Sequence, residues 1–253
     1  MKTLITVPTE NLKEEPFASV LCYPKASEAE LHKRLKELRE HNIKAVEFTG
    51  KTSAHNVPVL GKGFVGIVVA AYLDEQRVAL KIRRVDADRL ELQHEAQMLA
   101  KANALEIGPK LRAASKNFLL MQLIDGAVLP EWLETHKKKA HVRRVLNDIL
   151  EQCWTLDIAG LDHGELSKAT KHIIVDKKQK PWIVDFETAS INRRTANVTS
   201  ACQFLFISGG GVAKAVADVL GERKREKIIW TLKLYKNDRT RENLKRVMNV
   251  CLF

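Results

Sequence analysis

Apolar residues along the chain follow two periods. Leu31, Leu35 and Leu38 recur at helical spacing behind Ser27-Glu28-Ala29-Glu30, a capping box in which a hydroxyl precedes a glutamate by three residues. A helix is predicted there, ending near His41-Asn42, and then a short strand at residues 45–48 closed by Gly50. Val65, Ile67, Val68, Val69, Ala70 and Ala71 form an apolar run, followed by a turn near Asp74-Glu75 and a β-branched strand that ends on Lys81. Asp88 with Glu91 reads as a second capping box, opening a helix to about Ala104 that Gly108-Pro109 stops. Residues 110–114 and 118–123 read as two more strands, with Asp125-Gly126 as a turn. Beyond them, residues 142–159 carry an amphipathic helical pattern (Val145, Leu146, Ile149, Leu150, Cys153). Residues 173–175 and 182–184 form short strands around a basic turn. Residues 212–220 and two basic helices complete the chain. Helices and strands thus alternate along the chain.

One polar residue breaks the second helical stripe. Glu95 stands three residues after Leu92 and four before Leu99, on the face that Leu92, Ala96 and Leu99 would bury. A buried carboxylate requires a cationic partner, and Lys81 is the candidate.

Composition narrows the classes. No apolar run reaches transmembrane length, and residues 4–7 before Pro8 are too short for a secretory apolar region. A cytoplasmic protein that does not enter a membrane is expected. Cys22, Cys153, Cys202 and Cys251 lie far apart without a C-x-x-C pair, which predicts reduced thiols and excludes a zinc knuckle. The formal charge is +11, concentrated at Lys137-Lys138-Lys139 with Arg143-Arg144, at Lys177-Lys178-Lys180, at Arg193-Arg194 and at Arg223-Lys224-Arg225-Lys227. Such a surface attracts phosphate-bearing partners, so contact with RNA or a ribonucleoprotein is an expectation, although no RNA-binding motif accompanies it.

The chemistry-bearing stretches come in a fixed order. Gly61-Lys62-Gly63-Phe64-Val65-Gly66-Ile67-Val68 has the form G-x-G-x-x-G-x-V, and Val78-Ala79-Leu80-Lys81 follows one turn later. Asp162-His163-Gly164-Glu165-Leu166 comes next, then a strand, a turn and Trp182-Ile183-Val184-Asp185-Phe186. Taken together, these stretches resemble a small RIO-type atypical serine/threonine protein kinase. They are also similar in style to the kinase of the KEOPS tRNA-modification complex, whose loop reads H-G-D-L. The resemblance covers about residues 58–235. It implies an α+β class and a bilobal protein-kinase-like fold with a small helical C-lobe and a short activation segment. It divides the chain into an N-terminal helix–strand extension (1–57), an N-lobe (58–126) and a C-lobe (127–253).

The same resemblance implies ATP and Mg2+ as cofactors. Gly61, Lys62, Gly63, Gly66, Val68, Ala79, Lys81, Glu95, Met121, Gln122 and Ile124 would line the nucleotide, Met121 to Ile124 standing where kinases place gatekeeper and hinge. Lys81 would contact phosphates, Glu95 would position Lys81, and Asp185 would hold the metal. Glu165 would be the base, making Glu165, Asp185 and Lys81 the catalytic set. The acceptor would be a serine or threonine of a protein substrate or of the chain itself. Family members are linked to ribosome maturation and often behave as ATPases.

Three departures qualify that reading. Glu165 replaces the usual aspartate and is one methylene longer. The asparagine expected a few residues on is missing, with Lys171 and His172 in its region. Glu187 follows Asp185-Phe186 where glycine is usual, and residues 188–197 are too short for an ordinary activation loop. A nucleotide-binding pseudokinase, a small-molecule phosphotransferase and an RNA-binding scaffold therefore remain alternatives.

Overall fold

The computed structural model describes residues 4–253. The chain divides into two compact units, one formed by the residues up to Gln97 with Lys110–Leu123, the other by Met98–Pro109 with Ile124–Phe253. The class is mixed α+β, as the resemblance implies.

In the first unit, β1 (Ile5–Pro8), α1 (Phe17–Leu21), α2 (Glu28–Glu40) and β2 (Ile43–Phe48) precede the hairpin of β3 (Thr52–Ala54) and β4 (Val57–Val59). Then come β5 (Gly61–Lys62), β6 (Gly66–Leu73), β7 (Gln76–Arg83), the start of α3 (Gln93–Asn103), β8 (Leu111–Ala114) and β9 (Phe118–Gln122). The main sheet is antiparallel, in the order β1-β2-β6-β7-β9-β8, with β5 also paired to β6. The N-terminal residues thus supply strands to the sheet that carries Lys81.

The side-chain period of two sorts this sheet into two faces. Ile67, Val69, Val78, Leu80, Ile82, Phe118 and Leu120 form one core with Leu35 and Leu38 of α2. Leu119 and Val65 pack instead with Leu92 and Ala96. Lys81, alternating with Leu80 and Ile82, belongs to this second face. Ser27 caps α2 by accepting the Glu30 amide, as predicted. Arg34, fully buried, joins that helix to the sheet: it donates to the carbonyls of Leu21 and Arg83 at 2.6 Å and to Glu30 at 2.8 Å.

The second capping box does not form. Helix α3 begins at Gln93, five residues after Asp88. The Leu92 amide donates instead to the Lys116 carbonyl at 3.2 Å, while the Leu92 carbonyl accepts the Ala96 amide at 3.1 Å. Residues 88–92 are held by the turn between β8 and β9, and this tertiary bond overrides the local capping signal.

In the second unit, β10 (Gly126–Val128) leads into α4 (Leu129–Thr135) and the long α5 (Lys139–Ile158). Strands β11 (Ile173–Asp176) and β12 (Pro181–Ile183) follow, then α6 (Asn197–Cys202), α7 (Gly211–Leu220), α8 (Arg225–Asn237) and α9 (Arg241–Leu252). The strand order is β10-β11-β12. Gly126 pairs with Asp176, so the predicted turn at Asp125-Gly126 is the entry to a strand. Helix α5 buries Val142, Val145, Leu146, Ile149, Leu150 and Cys153, the predicted stripe. The four cysteines are buried and free. No single described helix is long and apolar enough to cross a membrane.

Candidate functional site

In the first unit, β5 and β6 form a hairpin whose turn carries the glycines, closed by the Gly63 amide donating to the Gly66 carbonyl at 2.8 Å. Phe64 at its tip is 93% exposed. Gly66 has a packing reason to lack a side chain: a Cβ there would stand 2.9 Å from the Ile82 carbonyl oxygen and 3.1 Å from Lys81 Cγ. The lysine stem crosses the glycine. At its end, Lys81 Nζ lies 2.7 Å from Glu95 Oε2, with only 6% and 4% of the two side chains exposed. The predicted partnership is therefore formed within one unit. Val68 is paired with Lys81 across β6 and β7, and Ala79 with Met121 across β7 and β9. Gln122 donates its amide to the Lys110 carbonyl at 2.8 Å, and Ile124 opens the second unit, partly buried.

In the second unit, a buried polar network shapes the loop after α5. Asp157 accepts the Asn197 amide and side-chain Nδ2, both at 2.8 Å, and the Tyr235 hydroxyl at 2.9 Å. Burial and the Asp157 carboxylate push the Tyr235 phenol far up. Asn197 then donates to the Leu161 carbonyl and accepts the His163 amide, each at 2.8 Å. Asp162 and Ser190 exchange backbone hydrogen bonds at 2.9 and 2.8 Å. The Asp162 carboxylate pairs with Arg193 and accepts the Ala196 amide at 2.8 Å. Both of its oxygens are committed to holding the loop backbone.

His163 is fully buried, its ring edge-on to Phe186, with Nε2 donating to the Val184 carbonyl at 3.0 Å. That bond fixes the proton on Nε2 of a neutral imidazole. Desolvation pushes its pKa down to about 4. Gly164 follows at φ +93°, where a Cβ would meet Arg193 Nη2 at 2.2 Å. A glycine is needed between the buried histidine and Glu165.

Three side chains converge beyond this loop. His172 Nε2 lies 3.6 Å from Glu165 Oε2 and 3.6 Å from Asp185 Oδ2. One donor atom from each of the three residues falls within 4.8 Å of the others. The Val184 amide donates to the His172 carbonyl at 2.9 Å, which ties the imidazole's backbone to the strand leading into Asp185. Asp185 has the left-handed φ of +68°, uncommon for a residue with a side chain. Glu165 and Asp185 remain 40% and 36% exposed, so an ion in solution can reach them. Two carboxylates and an imidazole are a fitting donor set for a divalent cation.

A family model described as the RIO domain matches residues 68–197, just over half of the chain. The chain belongs to the RIO domain family. RIO domains are atypical protein kinases and ATPases, so the general class is phosphotransfer. A relative from Methanocaldococcus jannaschii, named only as an uncharacterized protein, is 33% identical over 100 residues, covering 40% of this chain and 83% of the relative. The RIO match includes Lys81, Glu95, Glu165 and Asp185 but starts at Val68, after the glycine hairpin.

The sequence sets Lys171 and His172 side by side in the region of the missing asparagine. Lys171 is exposed, and His172 is the residue that reaches the two carboxylates. Asp157 and Asn197 were missed as well. Their polar side chains sit at the end of one helix and the start of another, forty residues apart, and only the packing of α5 on α6 unites them.

Proposed function

We infer that this RIO-domain protein is an ATP-dependent serine/threonine kinase whose slow turnover includes ATP hydrolysis. The observation that carries the reading is the buried Lys81–Glu95 pair. An ammonium held at 2.7 Å by a shielded carboxylate has one orientation, and a fixed cation is what phosphate oxygens require. In this reading Lys81 binds the phosphates of ATP, and Glu95 keeps its ammonium from swinging away. Gly61, Lys62, Gly63, Gly66, Val68, Ala79, Met121, Gln122 and Ile124 line the nucleotide. Asp185, with its neighbours Glu165 and His172, would hold the divalent cation, taken as Mg2+, which supplies charge neutralisation when bound.

Glu165 accepts the proton of the acceptor hydroxyl or of water. Its side chain is 40% exposed, and the oxygen that does not face His172 is open to that proton. The backbone of the loop is fixed by Asn197 and Asp162, so the freedom of Glu165 is confined to its own side chain. That added methylene costs rate, because misplacement by about an ångström can cost on the order of a hundredfold.

RNA contact belongs to the same proposal, with a narrower basis than the charge count gives. Arg143, Arg193 and Arg223 each donate to backbone carbonyls or to Asp162, whereas Lys137, Lys138 and Lys139 are exposed. The lysine run, with the exposed Lys178, Lys224, Arg225 and Lys227, is the part of the basic surface that phosphate can reach, and a cytoplasmic ribonucleoprotein is the partner class it fits. ATP turnover by the full chain, compared with a Lys81 variant, tests the reading.

A further inference from the structure

We propose that His172 is a metal ligand and that it turns the cation site of this chain toward first-row transition metals, Mn2+ among them, in preference to Mg2+. The proposal rests on the phosphotransfer reading for the site's purpose, but its observations are separate from the nucleotide loop. The imidazole stands at equal distance, 3.6 Å, from one oxygen of Glu165 and one of Asp185. That is too long for a hydrogen bond. It is close to the spacing of donors that share a small ion, roughly 3 to 3.4 Å when each stands about 2.1 Å from it. A contraction of a few tenths of an ångström brings the nitrogen to that spacing from each of the two carboxylates.

His172 is also short of other partners. Its Nδ1 is buried and accepts or donates no hydrogen bond among the described residues. Its other ring contact is the tilted face of His163, at 5.7 Å between centroids. The Nε2 of His163 is occupied by the Val184 carbonyl at 3.0 Å. The described contacts of the imidazole are therefore the two carboxylates and the His163 ring.

The choice of metal follows from the donor atoms. An all-oxygen set of carboxylates and an amide suits Mg2+, which is hard and gives up its water reluctantly. A neutral imidazole nitrogen suits Fe2+, Ni2+, Cu2+ and Zn2+, and Mn2+, which shares the carboxylate preference of Mg2+, stands at the start of the same transition series. Replacing the amide oxygen that a phosphotransfer site of this kind expects by an imidazole leaves two carboxylates to keep the charge and adds one softer donor. Mn2+ accepts that mixture while keeping the octahedral coordination of Mg2+.

The competing account is an imidazolium that serves as an internal counter-charge and keeps metal out. Direct spectroscopy of the intact chain separates the two. Mn2+ alone, without nucleotide, is titrated into wild type, His172→Asn and His172→Ala, with bound metal read by electron paramagnetic resonance and folding followed by thermal melting. Electron spin-echo modulation from a directly bound imidazole nitrogen is expected in wild type and absent in both variants. A Mn2+ over Mg2+ preference of about tenfold or more is expected in wild type, falling toward parity in His172→Asn, whose amide restores an oxygen. No nitrogen modulation in Mn2+-loaded wild type, or an unchanged preference in His172→Asn, overturns the proposal. Binding of ATP, titrated separately on the same samples, reports on the phosphotransfer reading: a nitrogen-ligated Mn2+ site in a chain that does not bind ATP would retire that reading and leave this one standing.

Discussion

Lys81 Nζ and Glu95 Oε2 lie 2.7 Å apart in a place that water barely reaches. The pair connects a central strand to a helix, and each charge is tolerable there only because of the other. Removing Lys81 alone therefore does two things. It takes away the proposed phosphate contact, and it leaves a carboxylate buried without its partner. Lys81→Ala and Glu95→Ala should each destabilise the fold by about 3–5 kcal/mol. The double variant should lose clearly less than the sum of the two. Denaturant unfolding of the four proteins checks this; strict additivity would mean that the two groups do not depend on each other.

Glu165→Gln should slow ATP turnover by roughly ten- to ten-thousandfold, the range for losing a general base. Nucleotide affinity should stay nearly unchanged, because the phosphate-binding charge is Lys81. Glu165→Asp tests the reach of the side chain. With the loop backbone held by Asn197 and Asp162, a shorter carboxylate keeps or raises the rate if the extra methylene is what limits it. Turnover and nucleotide titration on both variants give the answer. A Glu165→Gln protein with wild-type turnover would take the base role away from this residue.

His163 makes the second unit sensitive to acid. Its folded pKa is depressed to about 4 from an ordinary 6.5 because burial disfavours the charged ring. The unfolded chain therefore binds the proton first. The contribution is whole above pH 6.5 and is lost as pH falls toward about 4, amounting to about 3 kcal/mol across that window. His163→Gln should show a weaker fall in stability between pH 6.5 and 4 than wild type. Unfolding free energies at several pH values, in metal-free buffer, measure the difference. Parallel curves would show that the histidine charges without cost.

The period of the apolar positions made most of the first unit readable. Strands β6, β7 and β9 alternate or run apolar as buried strands do, and Glu95 stood out because it interrupted a stripe. The start of α3 was not readable, since Asp88 and Glu91 carry a sound local signal that the Leu92–Lys116 bond overrides. In the second unit the order of motifs located Glu165 and Asp185, but the asparagine's absence drew attention to the charge of Lys171. The role of His172 depends on the hairpin of β11 and β12 returning the chain so that residues 165, 172 and 185 converge. Helix α4 spans only Leu129–Thr135, too short to display a helical period. The Asp157–Asn197–Tyr235 network joins three helices and has no sequence signature at all.

Asp162→Asn should affect the loop as a whole. The aspartate holds Arg193 and the Ala196 amide, so an amide in its place weakens both contacts and frees the segment that carries Gly164 and Glu165. The expected outcome is lower stability, by about 1–3 kcal/mol for a partly buried charged hydrogen bond, together with reduced turnover. Arg193→Ala should reproduce both effects. A stability loss without any change in turnover would separate the latch from the chemistry.

The account stands or falls most directly on phosphate release from γ-labelled ATP by the full chain, measured beside Lys81→Met and Asp185→Asn proteins shown by melting to be folded at the assay temperature. Slow release above background in wild type, lost in both variants, is the predicted result. Equal release in all three proteins, or none above background in wild type with either Mg2+ or Mn2+, would contradict it.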